Sequence, residues 1–137
     1  MERQVGWAAG KAVEGFFINL EAVTATFHGR RRVSEELSQR AVRTFLRSGL
    51  KEPAAGGQAI KALAEAEFGY PGQARAQAKV SLEIFREKAA RSVAALALAR
   101  AGEAPQAQAV AKELREQFPV DTLVQNVYLP AIEAQAH

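Results

Sequence analysis

The sequence predicts an all-α protein, a stack of helix-turn-helix units, and three observations carry that expectation. Alanine dominates an apolar fraction of 48%. Small and apolar residues recur at an offset of 33 residues. Gly and Pro sit together between segments of helical length. Alanine is the best helix former because it loses no rotamer freedom, and its small side chain lets neighbouring helices approach closely. A chain of 137 residues is one domain's worth and can bury a core without metals or disulfides.

The repeat is clearest when 52–85 is laid over 85–118. Gly69 then meets Gly102, Lys79 meets Lys112, Glu83 meets Glu116 and Phe85 meets Phe118, with Ala62-Leu63-Ala64 on Ala95-Leu96-Ala97. A weaker copy at an offset of 40 pairs Gly29 with Gly69, Ser34 with Ala74 and Phe45 with Phe85. Its seven additional residues are assigned to a loop around Ser48-Gly49-Leu50-Lys51-Glu52-Pro53, where Gly and Pro mark a break. Three units are expected, about 5–48, 52–86 and 87–118, followed by a capping helix over 120–134.

Apolar spacing supports each helix in turn. In the first, Val13, Phe16, Phe17, Leu20, Thr24 and Phe27 form the predicted buried stripe. In the second, over 33–48, Leu37, Ala41 and Phe45 do so, leaving Arg40, Arg43 and Arg47 on another face. The third, over 53–68, offers Ile60, Leu63, Ala64 and Phe68; the fourth, over 72–86, offers Ala74, Ala78, Leu82 and Phe85. The fifth, over 88–101, is apolar all round and is expected to be buried on both faces. The sixth, over 104–118, carries Ala107, Val110, Ala111, Leu114 and Phe118. Gly69-Tyr70-Pro71 and Gly102-Glu103-Ala104-Pro105 each supply a residue that leaves a helix through left-handed space, then a proline suited to the next first turn. Turns that short fold consecutive helices back on one another. Pro119 stops the sixth helix, Asp121 caps a seventh, and Pro130 is expected to kink it. A terminal helix of this kind covers the apolar end of a stack.

Gly69, Ala74 and Ala78, then Ala95, Gly102, Ala107, Ala111 and Pro119, resemble the small-residue and proline positions of the tetratricopeptide repeat. The large aromatics usual in that repeat's first helix are mostly replaced here by Ala and Leu. The resemblance implies a right-handed α-solenoid of three hairpins with its terminal helix, and a scaffold for protein–protein interaction. Over roughly residues 30–132, the run Leu96-Ala97-Leu98-Ala99-Arg100-Ala101-Gly102-Glu103, with Phe118-Pro119-Val120-Asp121-Thr122 and Tyr128-Leu129-Pro130, is similar to the C-terminal repeat region of bacterial serine/threonine protein kinases of the acidobacterial type. That likeness implies the interaction region of a larger signalling protein. It does not imply kinase activity, because the Gly-rich phosphate loop, the His-Arg-Asp loop and the Asp-Phe-Gly motif are all missing from the sequence.

The residues give little support to catalysis, and the chain is read as a non-enzyme without a cofactor or metal. There is no cysteine, and the two histidines, His28 and His137, are isolated, whereas a zinc site needs several ligands at set spacings. His28 is expected to pack against the first turn. Glu35-Glu36 falls in a helix's opening turn, where the dipole favours negative charge, and Glu65 and Glu67 point in different directions around theirs. Gly56-Gly57 is not followed by the Lys-Ser/Thr of a phosphate loop.

In such stacks the working surface is the inner wall, made by the first helix of each hairpin. Its candidates here are Asn19, Val23 and Thr26, then Ala59, Leu63 and Glu67, then Ser92, Leu96 and Arg100, with Glu67 and Arg100 favoured as polar residues that packing does not explain. A protein or peptide ligand is the expected partner. The alternative is a nucleic-acid-binding module using the basic face of Arg40, Arg43 and Arg47. Residues 1–52 carry 9 Lys/Arg against 6 Asp/Glu, while 53–137 are balanced at 9 each, but no aromatic platform is interleaved with the arginines. No segment is apolar over the roughly 20 residues a bilayer requires. The chain is therefore expected to be soluble and cytoplasmic, or periplasmic if it belongs to a membrane-anchored kinase. Pairing of two copies through Trp7 and Phe17 stays open.

Overall fold

The computed structural model describes residues 13–137, and among them there are helices and no strands. The helices are α1 (Glu14–Phe27), α2 (Arg31–Arg47), α3 (Lys51–Glu67), α4 (Pro71–Ile84), α5 (Lys88–Arg100), α6 (Ala104–Gln117) and α7 (Leu129–Ala136). A π-helical turn, Val124–Tyr128, leads into α7. The expected start of the first unit at residue 5, and Trp7, lie outside the described residues.

Four of the connections are the same three-residue turn. At each, a glycine in left-handed space ends the helix: Gly29 at φ 69°, Gly49 at 73°, Gly69 at 83° and Gly102 at 83°. The residue after the glycine donates its amide five residues back, as in Arg30 to Ala25 at 2.9 Å, Leu50 to Phe45 at 2.8 Å, Tyr70 to Glu65 at 2.8 Å and Glu103 to Leu98 at 2.9 Å. Together with the bond from each glycine's own amide to the carbonyl three residues back, this satisfies carbonyls that a helix end leaves open. The connection from α4 to α5 lacks glycine. There Phe85 is extended, and the Glu87 carboxylate accepts from the Ala89 and Ala90 amides.

The seven additional residues of the weaker repeat are not in a loop. The turn Ser48–Leu50 is as short as the others; instead α2 has 17 residues against 14 in α4, and α3 has 17 against 13 in α5. Three plus four residues amount to about one helical turn in each, so the insertion preserves the faces of both helices. Pro53 reads as a breaker in sequence but occupies the first turn of α3, where the missing amide would have had no intrahelical partner.

Each of the first six helices packs on the next, and α3 also packs broadly on α5, whereas α1 meets α3 only narrowly. The larger apolar cluster joins Ala59, Ala62, Ala78, Ala94, Leu98, Val110, Leu114 and Ile132; a smaller one joins Ile18, Ala41, Phe45 and Ala54. As expected, α5 is buried nearly all round, and Asp121 caps the last segment, accepting from the Val124 amide at 2.9 Å. The Pro130 ring would clash with the Asn126 carbonyl of a continuous α-helix. The chain widens there into the π turn, with Pro130 in the first turn of α7.

The predicted stripes of α1 and α3 are corrected. Gly15, Ile18, Ala22 and Ala25 are the buried face of α1, while Phe16, Leu20 and Phe27 are exposed at 53%, 52% and 79%. In α3 the buried face is Ala54, Ala55, Ala59, Lys61, Ala62 and Glu65, while Ile60 and Phe68 are half exposed. Closely approaching helices select small residues at the contact, so the large ones are left at its margin. Gly15 shows how close the approach is: a Cβ there would lie 2.6 Å from the Phe45 ring.

Candidate binding cleft

Where α1 and α3 diverge, a cleft of about 230 Å³ opens, lined by Asn19, Val23 and Thr26 from α1 and by Ile60, Leu63, Glu67 and Phe68 from α3 and its end, with Phe27 at its mouth. The repeat departs from its pattern here. Gly57, Lys61, Ala64 and Phe68 line the cleft, and one period later the corresponding residues are Ala90, Ala94, Ala97 and Ala101, all buried. The later positions are four buried alanines, whereas a lysine and a phenylalanine stand at two of the earlier ones.

Two of the lining residues, Lys61 and Thr26, lead into a buried polar cluster. Lys61, 6% exposed, pairs with Glu65, 3% exposed, at 2.7 Å and donates to Ser34 Oγ at 3.0 Å. Ser34 Oγ lies 2.5 Å from Thr26 Oγ1. The second oxygen of Glu65 receives Arg31 Nε at 3.4 Å, and the Arg31 guanidinium sits 4.0 Å over the Tyr70 ring. Buried charges are costly unless paired and hydrogen-bonded, and this chain of contacts supplies both conditions. Arg31, Glu65, Phe27, Phe68 and Tyr70 line a second hollow of about 210 Å³ that shares Thr26, Phe27 and Phe68 with the first.

The sequence-derived groove residues divide. Asn19, Thr26, Leu63 and Glu67, with Val23, line the cleft together. Ala59 and Ser92 are fully buried and offer no surface, Ala59 in the helix contact and Ser92 donating to the Lys88 carbonyl at 2.8 Å. Leu96 is half buried against the main core, as Leu63 also is. Arg100 forms an ion pair with Glu67, both side chains remaining partly in water. Arg40, Arg43 and Arg47 are exposed along one face of α2, Arg40 pairing with Glu14 at 3.4 Å. His28 does not pack as an aromatic would: it is exposed, with Nδ1 2.9 Å from the Thr24 carbonyl.

Sequence reasoning places none of Lys61, Glu65 and Arg31 in a site, and weighs Glu65 only against Glu67 as a carboxylate pair. Their signal lay in the repeat itself, since Ala94 and Leu98 stand one period after Lys61 and Glu65, and Ala74 stands at the position matching Ser34. Among the described residues, no three His, Cys, Asp or Glu side chains cluster as a metal site requires, and no helix is long and apolar enough to cross a membrane. No protein-family model matches the chain, and neither a curated protein nor a solved structure does.

Proposed function

We propose that this chain is a non-catalytic protein-interaction module. It is a right-handed α-solenoid of three tetratricopeptide-like hairpins closed by a C-terminal helix, and it receives a segment of another protein in the cleft between α1 and α3. The observation that carries the reading is the group of large apolar side chains that line the cleft yet are left in water: Phe27, Ile60 and Phe68, each more than half exposed. Exposed apolar groups rimmed by polar residues mark interaction surfaces, and here the rim includes Asn19 and Glu67. The solenoid reading is supported by the recurring glycine turns and by the packing order, in which α3 meets both its hairpin partner α4 and the following α5. The likeness to kinase-associated repeats makes a larger bacterial signalling protein the proposed setting, and the cytoplasm its proposed location.

Selection of displayed random peptides on the immobilised protein tests the reading. Enriched peptides are expected to lose binding to Ile60→Asp and Phe68→Ser while both variants keep their melting temperatures, because these side chains are already half in water. Peptides that bind the variants as well as the parent would remove the cleft from the function. The exposed arginines of α2 favour a second reading, nucleic-acid binding, which requires affinity that falls steeply with salt; a flat low-salt gel shift would dismiss it.

A further inference from the structure

We infer that the segment received by the cleft is acidic: it places one large apolar side chain between α1 and α3 and an Asp or Glu carboxylate on Arg31. This inference rests on the interaction reading above and specifies its partner. Charge is the first argument. Lys61 and Arg31 share a single carboxylate, Glu65, and neither has another acidic side chain within ion-pairing distance among the described residues. Lys61, Arg31 and Glu65 therefore sum to one excess positive charge beside an apolar cleft, while Glu35, one helical turn from Arg31, is held instead by hydrogen bonds from Gln39 and Gln77.

Access decides which cation is available. Lys61 is 6% exposed and is held by Glu65 and Ser34. Arg31 is 45% exposed, held by Glu65 through Nε, with its plane fixed over Tyr70. A guanidinium pinned in this way presents a planar fork that matches a carboxylate, and its ordering entropy is already spent. The two hollows share Thr26, Phe27 and Phe68, so an apolar group in one and a carboxylate at the other lie side by side on a single segment.

Size argues against a drug-sized ligand. Pockets for drug-sized ligands run roughly 300–1,000 Å³, and this cleft, at about 230 Å³, fits one bulky side chain. Phe27 and Phe68 carry its apolar lining on into the second hollow. The stack itself does not require the charges, because the next layer is closed by Ala94 and Leu98 at the same positions.

The test uses the full chain and fluorescent peptides capped at both ends, so that no terminal carboxylate contributes. Each carries one Phe or Leu, and a neighbouring position is varied among Asp, Glu, Asn, Gln and Lys. Binding is expected to favour Asp or Glu over Asn or Gln by about tenfold or more, the size of one charge-assisted hydrogen-bonded contact. Arg31→Gln should erase that preference while leaving the weaker binding of the amide peptides, and Arg31→Lys should restore only part of it. Ile60→Asp should abolish binding of every peptide. Peptides that bind without acidic preference, or a preference that survives Arg31→Gln, would overturn the inference and leave the interaction module standing. No binding of any peptide would overturn both. Light scattering of the protein alone adds one more outcome: a dimer broken by Ile60→Asp would assign the cleft to a second copy and overturn the acidic partner.

Discussion

The buried pair of Lys61 and Glu65 invites a perturbation whose control is written in the same chain. Glu65→Ala would leave the Lys61 ammonium, 6% exposed, without its carboxylate. Breaking one partner of a buried pair costs about 3–5 kcal/mol, because the remaining charge stays desolvated. Ser34 Oγ, at 3.0 Å, offers a hydroxyl but no charge, so the expected loss is at the lower end, about 3 kcal/mol. That is a large part of the roughly 5–15 kcal/mol that holds a domain together. The paired replacement of Lys61 by Ala and Glu65 by Leu installs the residues found one period later, Ala94 and Leu98, which are both fully buried. Replacement of a buried pair by apolar residues of similar volume is commonly neutral or stabilising by about 1–4 kcal/mol. Ala at 61 is smaller than Lys, which offsets part of that gain, and Arg31, being half exposed, can hydrate when Glu65 is gone. Urea unfolding followed by circular dichroism measures both, with the single changes Lys61→Ala and Glu65→Leu completing the double-mutant cycle. The expected ordering places the paired variant at or above the parent and Glu65→Ala well below it. If Glu65→Ala and the paired variant lose equal stability, the charges are not desolvated and the polar cluster has been misread.

Glycine positions give two opposed expectations. Gly15→Ala should destabilise by about 1–3 kcal/mol through overpacking, since its Cβ would meet the buried Phe45 ring at 2.6 Å, and Phe45→Leu should recover part of the loss in thermal melts. Gly56→Ala, with nothing within 4 Å of the new methyl, should stabilise α3 by about 0.5–1 kcal/mol; a lower melting point would contradict it. At the α5–α6 turn, Gly102→Ala forces a Cβ into left-handed space at φ 83° and should cost about 1–2 kcal/mol. The Lys88 ammonium, through its hydrogen bond to Asp121 at 2.5 Å, and the Val124 amide hold the Asp121 carboxyl below its ordinary value. That stabilisation is present above the unfolded pKa of about 4 and disappears as pH falls through the lowered folded value. The same hydrogen bond raises Lys88, whose contribution is present below its unfolded value and lost as pH rises through the folded one. Asp121→Asn should therefore flatten the acid limb of a melting-temperature profile, and an unchanged limb would exclude the link.

The fold was readable because its signals are local. A glycine that must turn left and a proline suited to a first helical turn act through their own backbone, so Gly69, Pro71, Gly102 and Pro105 mark their turns without help from the rest of the chain. Burial was less readable. Apolar periodicity in α1 points to Phe16, Leu20 and Phe27, yet the helix buries Gly15, Ile18, Ala22 and Ala25, because a stripe of large residues and one of small residues compete for the same contact and the closer approach wins. Asn19, Thr26, Leu63 and Glu67 reach the cleft as first-helix positions should. Ala59 and Ser92 do not, since their exposure depends on the neighbouring helix. Lys61, Glu65 and Arg31 looked like ordinary surface charges, and only their contacts across α2 and α3 set them apart.

Those contacts and the cleft belong together. If the opening between α1 and α3 were merely the frayed end of a stack, its lining would be the same small residues that close the next layer, left without a neighbour. The lining is different in kind: Lys61 and Phe68 occupy positions that carry Ala94 and Ala101 one period on. A lysine placed there needs a carboxylate, and Glu65 provides it one helical turn away; Glu65 then has a second oxygen, which takes Arg31. Phe68, too large for the contact, stands at the margin facing Phe27 across the mouth shared by the two hollows. Two departures from the repeat thus accompany the opening, bury a charge and expose an aromatic rim together. A sequence selected only to stack would have repeated its alanines.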